Sequence, residues 1–192
     1  MQYEEEAPGL LSTQLLRPSA ARAIVTQLKR LRSWKTAQVL AKGAGDRPHS
    51  ETNEDSRSAC ILRSPRAEHI YQQFDRLMER RVKPLIREFW GVDFTEHEDH
   101  QIVRYRRGGH YHAHADAGEY LAERYFTLVC YLNDDFRGGE TWFPSLDHLT
   151  TPRSGKAVIF PSKYFHSAEP VVSGVKYVLV TWVLGPIPIR WI

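Results

Sequence analysis

Apolar and polar positions change their rhythm near Gly91, from helical spacing before it to short alternating runs after it. From Ala21 to about Leu40, Ile24, Val25, Leu28, Leu31 and Trp34 fall three and four apart with Lys29, Arg30 and Arg32 outside, which predicts a surface helix. From Pro65 to about Phe89, Ile70, Phe74, Leu77, Met78, Val82, Leu85, Ile86 and Phe89 hold the same period, with Arg76, Arg80, Arg81 and Lys83 on or near the wet side. Pro84 interrupts this second helix. It lacks an N–H and crowds the preceding turn, so a kink near Lys83, or a split into two helices, is expected. Residues 1 to about 20, with Pro8, Gly9 and Pro18, read as an irregular lead-in, and residues 42–58, with Gly43, Gly45, Pro48 and Asn53, as a loop or active-site flap.

After Gly91, runs rich in Val, Ile, Tyr, Phe and Thr are broken by Gly108-Gly109, Gly138-Gly139, Pro152, Gly155, Pro161 and Gly174. Strands are expected near 101–106, 111–116, 125–132, 140–143, 156–160 and 175–184, the spacing of a β-sandwich or barrel. The fold class is therefore mainly β with N-terminal helices (α+β), two or so long helices packed on a β core. Length adds one constraint. At ~150 residues per domain, 192 residues make one domain over 1–192, with a helical part at about 20–92 and a β core at about 100–184.

Charge excludes some partners. Twenty-six Lys and Arg against twenty-three Asp and Glu give a net charge of +3, spread along the chain without the dense basic stripe of a nucleic-acid binder. The start, Met1-Gln2-Tyr3-Glu4-Glu5-Glu6, is acidic where a signal peptide is basic, and no apolar run approaches the ~18 residues of a membrane span. Two cysteines, Cys60 and Cys130, each in an apolar run, form no disulfide framework. A cytoplasmic protein, monomeric or homodimeric, without nucleic-acid or membrane partners, is the expectation.

The chemistry concentrates in Tyr105-Arg106-Arg107-Gly108-Gly109-His110-Tyr111-His112-Ala113-His114-Ala115-Asp116. Side chains two apart on an extended strand share a face, so His114 and Asp116 can aim at one point. His166, fifty positions beyond Asp116, is a candidate third ligand, and two histidines with one carboxylate form the facial set of non-haem Fe(II) oxygenases. His110, His112, His114 and Asp116 have one parity, so alternation alone does not choose among the histidines. In the strand from Val175 to Val183, Lys176, Val178, Val180 and Trp182 share one face, and Tyr177, Leu179, Thr181 and Val183 the other. A lysine on an apolar face sits at an exposed edge or opposite an anion, because an unpaired buried ammonium is prohibitively costly.

Tyr105, Gly108, Tyr111, His114 and Asp116, then Tyr131-Leu132-Asn133-Asp134, Gly138-Gly139-Glu140-Thr141 and Phe143-Pro144, then His166, Lys176 and Trp182, resemble the catalytic domain of the prolyl 4-hydroxylase-like Fe(II)/2-oxoglutarate dioxygenases. The likeness covers about residues 100–184. It implies a double-stranded β-helix (jelly roll, cupin-like) that holds Fe(II) with the cosubstrates 2-oxoglutarate and O2, and makes ascorbate a candidate reductant. Carried over by position, His114, Asp116 and His166 are the iron ligands and catalytic centre, and the family register selects His114 among the histidines. Lys176 pairs with the distal carboxylate of 2-oxoglutarate and Tyr105 hydrogen-bonds it. Thr127 or Thr141 is a further donor, and Trp182 packs under the cosubstrate. Tyr111, His112, Arg106 and Trp142 are substrate-side candidates.

Halogenases related to this family have a small residue where Asp116 stands, so Asp116 favours hydroxylation of an unactivated C–H, coupled to decarboxylation of 2-oxoglutarate to succinate and CO2. A free, carrier-bound or natural-product amino-acid-like small molecule is the first substrate expectation, and a prolyl residue in a peptide or protein the second. Selectivity is expected from the 42–58 flap and the C-terminal Gly185-Pro186-Ile187-Pro188-Ile189-Arg190-Trp191-Ile192. Two readings compete from other classes. A zinc hydrolase uses similar ligands but gives Lys176 no role, and a non-catalytic β-helix binding module would consume no O2.

Overall fold

The computed structural model describes residues 2–42, 48–62, 64–94, 96–118, 121 and 123–185. Its first part runs β1 (Tyr3–Ala7), β2 (Leu10–Gln14), α1 (Pro18–Leu28), β3 (Trp34–Thr36), β4 (Val39–Lys42), β5 (Pro48–Glu51), β6 (Arg57–Ser58) and β7 (Cys60–Leu62). A helical run follows as α2 (Glu68–Leu77), a π-helical turn at Met78–Val82 and α3 (Lys83–Trp90). The β core comprises β8 (Glu96–His97), β9 (Gln101–Tyr105), β10 (His110–His114), β11 (Arg124–Tyr131), β12 (Arg137–Gly138), β13 (Thr141–Phe143), β14 (His148–Thr150), β15 (Lys156–Pro161), β16 (His166–Ala168), β17 (Val171–Ser173) and β18 (Lys176–Leu184).

Two sheets form a jelly-roll-like core. The larger has the order β1-β2-β15-β11-β18-β9-β7-β3, with β8 also on β18, and the smaller the order β14-β13-β16-β10-β6. The central strands of the larger sheet read as near-continuous apolar runs because both their faces are covered. Leu128, Cys130, Tyr177, Leu179 and Val183 face the helices with Ile24, Phe74, Met78 and Ile86, while Val103, Val129, Tyr131, Phe160 and Val178 face the smaller sheet with Phe143. Lys176 lies on that inner side, cross-strand from Tyr105.

Three expectations are corrected. The helix expected from Ala21 to about Leu40 ends at Leu28, and the chain turns into β3, where Trp34 pairs with Leu62. Trp34 stacks edge-on against Tyr177 at 5.9 Å and carries the Arg104 guanidinium at 4.3 Å, so pairing with the sheet overrides the helical period. The two or so long helices are one long run and one short helix. Pro84 does not split the run. The wider turn at Met78–Val82 lies where the proline ring would otherwise strike the preceding turn, and Gly91, at φ 68°, ends the run in the left-handed conformation.

The irregular lead-in is a hairpin, turned at Pro8-Gly9, whose second strand extends the larger sheet by pairing with β15. It is fastened by the Glu6 carboxylate, which meets Lys156 Nζ at 2.6 Å and accepts from Thr150 Oγ1 at 3.0 Å. Within residues 42–58, β4 and β5 pair as a hairpin, and β6 joins the smaller sheet. Cys60 and Cys130 are free thiols. No helix among the described residues is long and apolar enough to cross a membrane. The C-terminal segment after Gly185, where selectivity is expected, lies outside the described residues.

Candidate metal and anion site

A cavity of about 440 Å³ opens between the two sheets. His114 enters it from the end of β10, Asp116 from the turn just after, and His166 from the start of β16, the neighbouring strand. Their ligand atoms lie within 4.8 Å of one another. His114 Nε2 is 3.4 Å from one Asp116 oxygen and His166 Nε2 is 3.5 Å from the other.

Simple alternation fails at this point. The pairing of β10 with β16 shifts register between Tyr111 and His114. An irregularity there advances the side-chain phase, so Tyr111 and His114 share the cavity face, their rings stacked at 3.6 Å, while His110 and His112 pair with each other at 4.8 Å. The bulge therefore selects His114 without appeal to any relative. It also removes His112 from the substrate side, where it was expected: its side chain is exposed and outside the cavity lining.

Both imidazoles are preset in one tautomer. His114 Nδ1 lies 2.8 Å from the His112 carbonyl and His166 Nδ1 3.0 Å from the Tyr164 carbonyl. A carbonyl only accepts, so Nδ1 carries a proton in both rings and each Nε2 is the nitrogen turned toward Asp116. Burial takes His166 down to about 4 from 6.5, keeping it neutral at physiological pH. Burial alone would raise Asp116, but His166, then His114, and the Trp182 indole outweigh it and hold the carboxyl well below the usual carboxylate range. The Trp182 Nε1 is itself buried without a hydrogen bond of good geometry, so its effect on Asp116 is that of a nearby N–H dipole. Thr127 Oγ1 donates to Asp116 Oδ2 at 2.8 Å and meets Ser162 Oγ at 3.0 Å. A neutral His166 and an ionised Asp116, with His114 Nε2 turned toward the same carboxylate, are a donor set suited to a divalent cation.

Lys176, only 2 % exposed, lines the same cavity. Its ammonium donates to the Gly139 carbonyl at 2.7 Å and lies 5.0 Å from the Tyr105 ring and 5.6 Å from the Tyr131 ring. Loss of water drives it down to about 7 from 10.5, with Glu140 and Glu169 opposing from a distance. No carboxylate forms an ion pair with it among the described residues. A cation buried on these terms is completed by a bound anion.

Of the other expected residues, Tyr105, Thr141, Trp182 and Tyr111 line the cavity. Thr141 Oγ1 meets Tyr131 OH at 2.6 Å. Thr127 does not line it: it stands behind Asp116, as the carboxylate's hydrogen-bond partner. Arg106 projects to solvent from the Gly108 turn with Arg107. Trp142 also lies outside the lining, because Thr141 and Phe143 occupy the inward positions of β13 and Trp142 the alternate one. The cationic walls are instead Arg57 and Arg124, which the hydropathy pattern does not single out. Arg57 lies over the Tyr111 ring at 4.6 Å, and Arg124 over the Trp182 ring at 3.8 Å while donating to Glu98 at 2.7 Å.

Residues 100–184 match the family model of the 2OG-Fe(II) oxygenase superfamily. The chain is 32% identical over 126 residues to the transmembrane prolyl 4-hydroxylase of Mus musculus, a match covering 53% of this chain and 24% of that protein. It spans about half the length, or less, of the curated relatives it matches. Among solved structures it is similar to a Pseudomonas putida prolyl-4-hydroxylase, with a TM-score of 0.68 at 18% identity over 93% of each chain. A prolyl hydroxylase from Trichoplax adhaerens, in complex with a hypoxia inducible factor oxygen degradation domain peptide fragment, gives a TM-score of 0.73 at 16% identity over 92% of this chain and 83% of that one. Through residues 100–184, the chain is therefore similar to the 2OG-Fe(II) oxygenase superfamily and, within it, to prolyl 4-hydroxylases.

Proposed function

We propose that the protein is an Fe(II)- and 2-oxoglutarate-dependent hydroxylase acting on a prolyl residue within a peptide or protein. One observation carries the reading: a two-histidine, one-aspartate donor set and a buried lysine with no ion-pair partner among the described residues line one cavity. A hydrolytic zinc site would need the first feature and leave the second without purpose.

In this reading His114, Asp116 and His166 hold the iron, and Lys176 grips the distal carboxylate of 2-oxoglutarate, with Tyr105 and Thr141 beside it. Bound together, iron, 2-oxoglutarate and O2 supply the C–H oxidation, with succinate and CO2 as coproducts. The chain's part is positional. Thr127 fixes which Asp116 oxygen faces the centre, and Val129, Val178 and Val180 keep the cosubstrate's surroundings dry. Trp182 and Tyr111 offer flat apolar faces toward the open side, where Arg57 and Arg124 can meet substrate carbonyls.

The named relatives support a peptide or protein substrate over the amino-acid-like small molecule, since they are prolyl hydroxylases and one holds a peptide. The deciding experiment incubates the protein with Fe(II), 2-oxoglutarate, O2 and a library of proline-containing peptides. Peptide-stimulated succinate release, with one oxygen atom gained on a prolyl residue by mass spectrometry, is expected. Succinate release that responds to free amino acids and to no peptide would reverse the substrate assignment, and none under any condition would sink the enzymatic reading.

A further inference from the structure

A second constellation of ligand-type side chains lies outside the cavity, where α2 meets the turn between β8 and β9. Asp75, His97 and His100 bring one ligand atom each to within 4.8 Å of the others. Both imidazoles turn Nε2 to the same carboxylate oxygen: Asp75 Oδ1 is 2.9 Å from His100 and 3.6 Å from His97. The two rings stack at 4.8 Å, and Phe74 and Tyr71 enclose His100, whose side chain is 2 % exposed.

The hydrogen bonding around this group is incomplete in an informative way. His97 Nδ1 lies 3.0 Å from the Glu98 carbonyl, which can only accept, so Nδ1 bears the proton. Nε2 is then the nitrogen left to face Asp75 Oδ1, at 3.6 Å and without a hydrogen bond between them, a gap that a cation lying between the two atoms would fill. His100 Nε2 lies 2.9 Å from Asp75 Oδ1, which can only accept, so in the metal-free protein Nε2 carries the proton that an incoming ion would displace, while Nδ1 stays buried with no partner among the described residues. Tetrahedral zinc with Zn–N near 2.0–2.1 Å places ligand atoms roughly 3.3 Å apart. The two separations from Asp75 bracket that value.

We propose that Asp75, His97 and His100 form a second divalent-metal site, of the N,N,O donor class suited to Zn(II) or Co(II), which clamps the long helical run to the β core. It does not rest on the hydroxylase reading. Asp75 is half exposed, which gives the ion an entry path and leaves a coordination position for water. The clamp reaches the cavity wall through the backbone. Glu98, next to His97, bonds Arg124, its N–H donates to the Trp182 carbonyl at 2.8 Å, and its own carbonyl accepts from Thr181 Oγ1 at 2.7 Å. The ion therefore holds the segment that seats Arg124 over Trp182, without touching substrate.

The test is a Co(II) titration of the metal-free full chain by equilibrium dialysis, with metal analysis of the protein fraction. Two equivalents are expected for the parent, one for Asp75→Asn/His97→Gln, and one for His114→Ala. Circular dichroism establishes that each variant is folded. If the double variant loses its fold, His97→Gln alone, altering a partly exposed side chain, makes the same comparison and must bind one equivalent. A single equivalent in the parent overturns the proposal when the folded double variant keeps it; a single equivalent that the double variant loses and His114→Ala keeps upholds the proposal and instead refutes metal binding at His114. Two equivalents persisting in the folded double variant or in His97→Gln also overturn it, by showing that the second ion binds elsewhere.

Discussion

Replacing Lys176 by methionine has two opposed consequences, and their combination is hard to obtain by accident. Methionine keeps an unbranched stem of similar length and removes the ammonium. In the protein without cosubstrate, burial has brought that ammonium to about 7 from 10.5. Between those values the unfolded chain holds the proton and the folded chain does not, so stability rises with pH across the window, and the penalty is complete below about 7. At about 1.4 kcal/mol per pH unit, the penalty is on the order of 5 kcal/mol. Against this gain, the variant leaves the Gly139 carbonyl without its donor, a loss of about 1–3 kcal/mol. Lys176→Met is therefore expected to be more stable than the parent by a few kcal/mol near pH 6, with the advantage shrinking as pH rises and reversing between about pH 8 and 10. Cosubstrate binding moves the other way. Removing one partner of a buried ion pair costs about 3–5 kcal/mol, or roughly two to three and a half decades in affinity for 2-oxoglutarate. In the parent, the same affinity should fall as pH rises above about 7, because the anion must then recruit a proton to Lys176. Thermal melts across pH, with calorimetric titration of 2-oxoglutarate into Mn(II)-loaded protein, read both effects. A variant less stable than the parent near pH 6 would refute the buried cation, and unchanged 2-oxoglutarate affinity would refute the anchor.

Thr127→Val keeps the shape and deletes the hydroxyl on Asp116; metal affinity is expected to fall about 10- to 100-fold while 2-oxoglutarate affinity of the loaded protein holds, and an unchanged metal affinity would remove Thr127 from the site. The Glu6 carboxyl, raised by burial but lowered more by Lys156, Ser12 and His148, stands at about 2 against 4.5, so its stabilisation is present above 4.5 and is lost as pH falls toward 2. Glu6→Gln should accordingly lower urea stability at neutral pH, on the order of 1 kcal/mol after discounting for residual solvent screening at the sheet edge, with the difference closing by about pH 2. At Gly155, φ is +82° and a Cβ would stand 2.2 Å from the Leu16 carbonyl, whereas at Gly108, φ is +78° with nothing within 4 Å. Gly108→Ala should cost only about 1–2 kcal/mol of left-handed strain, and Gly155→Ala distinctly more; equal costs in chemical denaturation would show that the hairpin end near Leu16 yields freely.

Period alone makes some of these elements legible in the chain before any coordinate is known. The two faces of β18, one bearing Lys176 and Trp182 and the other Tyr177 and Leu179, are a strict alternation of residues made solid, because a central strand has no room to slip. The helical run over 68–90 is equally plain from its stripe. Concealed from periodicity are the elements defined by their partners. β1 and β2 are five residues each and acquire their identity by joining β15, and β3 borrows its order from β7, so neither carries enough pattern to outvote a proline or a helical spacing nearby. Arg57 and Arg124 share that invisibility, since an arginine at the start of a strand looks the same in solvent or over an aromatic ring.

The place where alternation misleads is also where the site is built. In a regular strand, His110, His112 and His114 would all face one way, and no imidazole could turn back on the carbonyl two residues earlier without leaving the ladder. The irregularity between Tyr111 and His114 permits that turn, so His114 Nδ1 finds the His112 carbonyl; the bend before β16 does the same for His166 and Tyr164. Each contact is local, made within three residues, and each fixes a tautomer before any metal arrives. Two such locks, placed on adjacent strands and facing one ionised carboxylate, make the donor set a property of the backbone path. Restoring a regular strand, by deleting one residue between Tyr111 and His114, would leave the ligand histidines in the sequence and abolish metal binding at this site, because the phase of the ring and the proton on its nitrogen would be lost together.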